Sequence, residues 1–340
     1  MLFEIRRRNF IKIMTVSLII WPSLSFAKPV FETCTNESCV NLEEFSSTMT
    51  TVMNEVPELE WVFGFIRKIQ LSDTLKSNAD VKIKRLKTGQ IFFDLIISTK
   101  AYVLKDNISK ILNSKEVTVF GNSIADPPQY LIELPSKYPG LFYITIHELG
   151  HIVDHLFGVN QLQCATPKIE SVAIYPVLHA VTRSLNKKEI QFSDVDCVTL
   201  KNSFSAVSWS KFLVKPQGVG VYVRTPKSDH TLLDKVCYYE NCNKNVTWTQ
   251  KEVYELYDFL IASSFTTLYS ANFSTLEEFG EAFVINYLAM YTENSTYTVN
   301  FKNHKGIDFL NKINEPNYIA KRNLLSSILE NIEERSNHLK

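Results

Sequence analysis

The chain has 340 residues, 45% of them hydrophobic, with 36 basic and 36 acidic residues and no net formal charge. That length can bury one large core or two smaller ones. The balanced charge offers no basic surplus for nucleic acid and no acidic surplus of the kind that keeps a tail solvated.

The first stretch, MLFEIRRRNFIKIMTVSLIIWPSLSFA, reads as an export signal. Arg6, Arg7, Arg8 and Lys12 form its basic start, an apolar run follows from Ile13 to Trp21, and Ser25-Phe26-Ala27 is a small-x-small cleavage pattern. The apolar run is shorter than the roughly 20 residues that span a bilayer. Cleavage after Ala27 is expected, with the product in the periplasm or outside the cell and no stable membrane span. RRNFIK also resembles a twin-arginine signal, although an ordinary secretory signal explains the same residues. Losing four basic residues and Glu4 leaves the mature chain mildly acidic.

All six cysteines, Cys34, Cys39, Cys164, Cys197, Cys237 and Cys242, follow that cut. An even count in an exported chain points to disulfides rather than zinc thiolates. CTNESC and CYYENC each suggest a local pair, which leaves Cys164 for Cys197.

From about Leu42 to Ser77 the apolar spacing is helical, and residues 28–78 read as an N-terminal helical subdomain or a pro-segment. The subdomain is favoured because no dibasic cleavage site follows it before Lys84-Arg85. VKIKRLKTGQIFFDLIIS reads as a β-hairpin turning at Thr88-Gly89, and KEVTVFGNS and YLIELPS as two further strands. A helix is expected between Pro139-Gly140 and Gly158. PKIESVAIYPVLHAVTRSL looks helical, and a cysteine-containing insert fills about 160–248, loop-rich with short strands from Phe192. Helices near 249–268, 275–292 and 316–336 close the chain. This order predicts an α+β fold, with a small sheet, a central motif-bearing helix and a mainly helical C-terminal part over 79–340.

The central helix contains YITIHELGHIVDHLFG. His147-Glu148-Leu149-Gly150-His151 is an H-E-x-x-H motif. Residues i and i+4 stand one turn apart on one face, so both imidazoles can converge on one ion, with Glu148 beside a water bound there. Two neutral nitrogens and a carboxylate, with a fourth position open, suit a single catalytic Zn²⁺. His155 extends the stripe but stands about 12 Å along the axis from His147, too far to share the ion. The longer H-E-x-x-H-x-x-G-x-x-H signature fails at Asp154 and Phe157. Asp154 and His155 are expected at the cleft edge or in capping.

The third ligand must come from elsewhere. In LYSANFSTLEEFGEAFVINYLAMY, Ser274 and Glu277 have capping-box spacing, and Glu277 and Glu281 share a helix face. Glu277 then either caps the helix or binds zinc, and Glu281 either faces solvent or accepts from a ligating histidine to orient it. Glu170 is the competing ligand, at a shorter distance from His151 but without an acid four residues later.

HELGH together with LEEFGEAF resembles the gluzincin metallopeptidases, in particular the anthrax lethal factor-like branch, whose second helix carries Glu-x-Phe-x-Glu-x-Phe. Glu277, Phe279, Glu281 and Phe283 reproduce that pattern. The resemblance covers two short helices, about an eighth of the chain, and the span between them is longer here. It implies a zincin-like fold, Glu277 as the metal ligand, and a tyrosine upstream as the oxyanion donor. Tyr269 stands near that place with one extra residue, and His230 is an alternative donor. The expected activity is hydrolysis of peptide bonds in peptides or proteins, endopeptidase rather than exopeptidase, with Glu148 as general base. Two alternatives stay open: a non-enzymatic exported module that keeps zinc for structure, and a zinc amidase acting on cell-wall peptides. A substrate strand is expected to add to the sheet edge near YLIELP.

Overall fold

The histidine helix forms the centre of the molecule because its sequence is apolar on nearly every side: residues Gly140 to Asp154 are all buried. The computed structural model describes residues 28–157 apart from 37–38, 86–90, 121–123 and 125. It also describes 190–191, 213–218, 221–224, 232, 235–236 and 246–339, the last apart from 263, 269–274 and 303.

In chain order, strand β1 (Val30–Glu32) leads to helix α1 (Leu42–Asn54), a 3₁₀ turn (Pro57–Leu59), the short helix α2 (Glu60–Phe63) and strand β2 (Ile66–Ser72). Strands β3 (Ala79–Arg85) and β4 (Ile91–Ser98) follow, then helices α3 (Thr99–Val103) and α4 (Ile108–Val119), strand β5 (Gln129–Glu133) and the histidine helix α5 (Pro139–Phe157). The insert contributes β6 (Ile190–Gln191), β7 (Leu213–Gly218) and β8 (Val221–Arg224). The C-terminal part is α6 (Gln250–Ala262), α7 (Thr275–Tyr291), β9 (Thr296–Phe301), β10 (His304–Asp308), α8 (Phe309–Lys312) and α9 (Ile319–Asn337). The chain is thus mixed α+β with small sheets, as its pattern predicts.

The first sheet has the order β1-β2-β4-β3, with β1, β2 and β4 parallel and β3 antiparallel at one edge, where it packs against α5. β3 and β4 form the expected hairpin, with Ala79 opposite Ile97 and Arg85 opposite Ile91. β10, β9 and β5 make a second, antiparallel sheet, and β6, β7 and β8 a third. Helix α7 packs along α5.

Three expectations need correction. The segment read as an N-terminal helical subdomain or pro-segment is helical only in part. β2 runs between β1 and β4, and Phe45, Met49 and Val52 of α1 sit in the same core as the histidine helix. The misreading has a local cause. A register shift between Ile66 and Lys68 breaks the alternation of β2, so Ile66 and Ile69 fall three apart and imitate helical spacing. Second, KEVTVFGNS begins as helix, not strand, because its residues up to Val119 extend α4. Ile108, Ile111, Leu112 and Val119 keep helical spacing and are buried, so packing overrides the β-branched run. Third, the outer edge of β5 is already taken. The Tyr130 and Ile132 amides donate to Asn113 Oδ1 (2.6 Å) and Ser109 Oγ (3.1 Å) of α4, so these two amides are not open to an added strand.

Cys34 and Cys39 form the expected local disulfide. Cys164, Cys197, Cys237 and Cys242 lie outside the described residues, as do the leader and the helix expected after Gly158. Among the described residues no helix is long and apolar enough to cross a membrane. The disulfide is consistent with an exported protein.

Candidate metal centre

Helix α5 carries His147 and His151 one turn apart, their ring centroids 4.7 Å from each other and their planes nearly perpendicular. Both are buried. Helix α7 brings Glu277 to the same point. The ligand atoms of His147, His151 and Glu277 all lie within 4.8 Å of one another, and His147 Nε2 is 3.2 Å from Glu277 Oε2. A tetrahedral ion with bonds of about 2.1 Å sets its ligands about 3.4 Å apart, so a small side-chain movement closes this set on a metal.

Two glycines allow the approach. A Cβ on Gly150 would stand 3.2 Å from the Gly280 Cα and 3.1 Å from the Phe283 Cβ, so the helices can touch only where both residues lack side chains. A Cβ on Gly280 would stand 2.8 Å from His151 Cε1 and 2.9 Å from His147 Cε1, so the imidazoles lie directly on that bare backbone.

Behind the pair sits Glu281, fully buried. Its Oε1 is 3.1 Å from His147 Nδ1, and its Oε2 accepts a 2.7 Å hydrogen bond from the Tyr143 hydroxyl. Tyr297 of β9 places its own hydroxyl 3.3 Å from that of Tyr143 and 3.5 Å from Glu281 Oε2. A carboxylate on the far nitrogen of a histidine fixes the ring and its tautomer and strengthens the facing nitrogen as a donor to metal. Burial, the Glu281 charge and Tyr297 together hold the Tyr143 hydroxyl well above the ordinary tyrosine pKa, so it stays a donor. Burial pulls His147 towards the neutral form, but contacts with Glu277 and Glu281 outweigh it and raise its pKa to about 10. The two carboxylates, one at each ring nitrogen, therefore favour positive charge at this position.

Glu148 follows His147 on the buried stretch of α5, 7% exposed. Asp154 is buried. His155 stands away from the group as expected, packing edge-on against Phe93 of β4 at 5.5 Å rather than facing open solvent. Tyr269, His230 and Glu170, together with Ser274, lie outside the described residues. Four functional residues escaped the sequence reading. Tyr143 continues the i, i+4 stripe one turn back from His147, and Gly150 and Gly280 stand inside the two motifs, so those signals were available. Tyr297 arrives from a distant strand, and no local spacing announces it.

The donor set, two imidazoles and one carboxylate with a second carboxylate behind one ring, could hold a metal ion. No protein-family model, curated protein or solved structure matches the chain.

Proposed function

We propose that the chain is an exported zinc-dependent metallopeptidase of gluzincin type that cleaves within peptides or proteins. The observation that carries this reading is the convergence of His147, His151 and Glu277 from two helices, with Glu281 behind His147. Two neutral nitrogens and one carboxylate are a donor set that Zn²⁺ favours. A structural zinc closes all four positions with protein, whereas three donors come together here among the described residues.

His147, His151 and Glu277 hold the ion, and Glu281 keeps the His147 ring turned towards it. Bound zinc lowers the pKa of a water towards neutrality and polarises the peptide carbonyl. Glu148 accepts the proton of the attacking water and later delivers it to the leaving amine. Tyr269 donates a hydrogen bond to the carbonyl oxygen as negative charge develops there. With the β5 edge capped, the substrate strand is assigned to β3, the edge strand that packs against α5. Export rests on the leader pattern and the Cys34–Cys39 bridge.

The test pairs metal analysis of the mature chain with cleavage-site profiling on a protein mixture. The wild type should carry a single zinc and produce new amino termini. Glu148→Gln should retain the zinc and lose about 10²- to 10⁴-fold in turnover. Full turnover in that variant, or a metal-free wild type, sinks the reading.

A further inference from the structure

The residue after Glu277 belongs to a different construction. Glu278 is fully buried, as is Lys321 of α9, with which it forms an ion pair. Lys321 also donates to the Ser264 carbonyl at 2.8 Å, and Lys312 of α8, likewise buried, donates to the Phe265 carbonyl. The Glu278 carboxylate accepts from the Thr266 amide (3.1 and 3.3 Å) and from its hydroxyl (2.9 Å), which also lies 3.1 Å from the Tyr318 hydroxyl. Ser264 adopts a left-handed backbone, φ 67°, at the start of this strap.

None of these groups has a part in the proposed chemistry, and burying two ammonium groups beside one carboxylate is costly. A well-packed apolar cluster would hold the same elements together at least as firmly. What the charges add is direction. The bonds named here end on the first turn of α7 or on the strap at 264–266, and they tie both to α8 and α9. The first four amides of a helix have no acceptor within it, so that turn depends on side chains for its placement. Glu277 lies in that turn.

We propose that Glu278, Lys321, Lys312 and Thr266 are positioning residues of the metal centre: the clamp sets the first turn of α7 so that the Glu277 carboxylate meets His147 and His151. This rests on the metal-centre reading. The consequence is specific, because weakening the clamp should lower metal affinity only through Glu277.

The test is a double-mutant cycle on the mature chain, reading the zinc dissociation constant by chelator competition and the visible spectrum after Co²⁺ loading. Thr266→Val keeps the shape and removes the hydroxyl contacts. It should weaken zinc binding about three- to tenfold, and the same substitution in a Glu277→Ala background should change nothing further. The apolar triple variant Glu278→Leu/Lys321→Met/Lys312→Met should still show weakened zinc binding and an altered cobalt spectrum, whatever its melting temperature. Equal losses from Thr266→Val in both backgrounds, or wild-type zinc affinity in the two clamp variants, overturn the proposal. A wild type that binds neither ion removes the metal-centre reading itself, and the proposal with it.

Discussion

Helix α7 separates two buried polar clusters of opposite sign, and adjacent residues serve them. Glu277 and Glu281 turn to the histidines of α5, where two carboxylates bracket His147. Glu278 turns the other way, where it pairs with Lys321 while Lys312 donates to the nearby Phe265 carbonyl. The first cluster has a surplus of carboxylates around a histidine pair that could hold a metal ion. The second holds two lysines to one carboxylate, and both lysines also donate to backbone carbonyls. Burial alone therefore does not mark a site. What distinguishes the metal side is that its polar atoms converge on one point, while those of the clamp are distributed over several chain segments.

That contrast can be broken from either side. The largest expected effect is on the negative cluster. Glu281→Gln removes the charge behind His147 while keeping the volume, and zinc affinity should fall about 10- to 100-fold by chelator competition. An unchanged affinity would mean that the Glu281–His147 contact has no bearing on metal. Next in size is Gly280→Ala. Its new methyl would press on both imidazoles, so the variant should lose about 1–3 kcal/mol in denaturant unfolding. Its zinc affinity should fall as well. Loss of stability with wild-type zinc affinity would show that the rings can retreat without leaving the ion.

The effect smallest per step, spread over several pH units, is also the most diagnostic and belongs to the second cluster. Burial lowers the Lys312 ammonium from an ordinary 10.5 to about 7. Between those values the unfolded chain binds more protons than the folded one, so the stabilising contribution is complete above about 10.5 and lost as pH falls through 7. Each pH unit in that window is worth at most about 1.4 kcal/mol. Lys312→Met should flatten this rise in unfolding free energy between pH 7 and 10. An identical slope in the variant would assign the pH dependence to other groups.

The sequence made part of this legible and hid part for physical reasons. The H-E-x-x-H helix could be read because both its ends and its buried character are local. Glu277 and Glu281 could be read because four-residue spacing places them on one face, although that they come within reach of His147 is a tertiary fact. The β9–β10 hairpin was missed even though Tyr297, Val299 and Phe301 alternate in period two. A run of six residues between two long helical patterns carries little local signal. Lys312 and Lys321 could not have been read, because a lysine at helical spacing looks like a solvated face until its partners Glu278 and Phe265 are brought to it from far along the chain. The β2 error shows the limit of periodicity: one irregular residue in a strand shifts its phase enough to imitate a helix.

The capping of β5 by Asn113 and Ser109 of α4 bears on how the protein behaves in a crowd. An uncovered strand margin invites a neighbouring molecule to join it, the usual first step towards aggregation. Here two side chains of α4 occupy the outward amides of Tyr130 and Ile132, so on that flank these two rungs are closed to another copy.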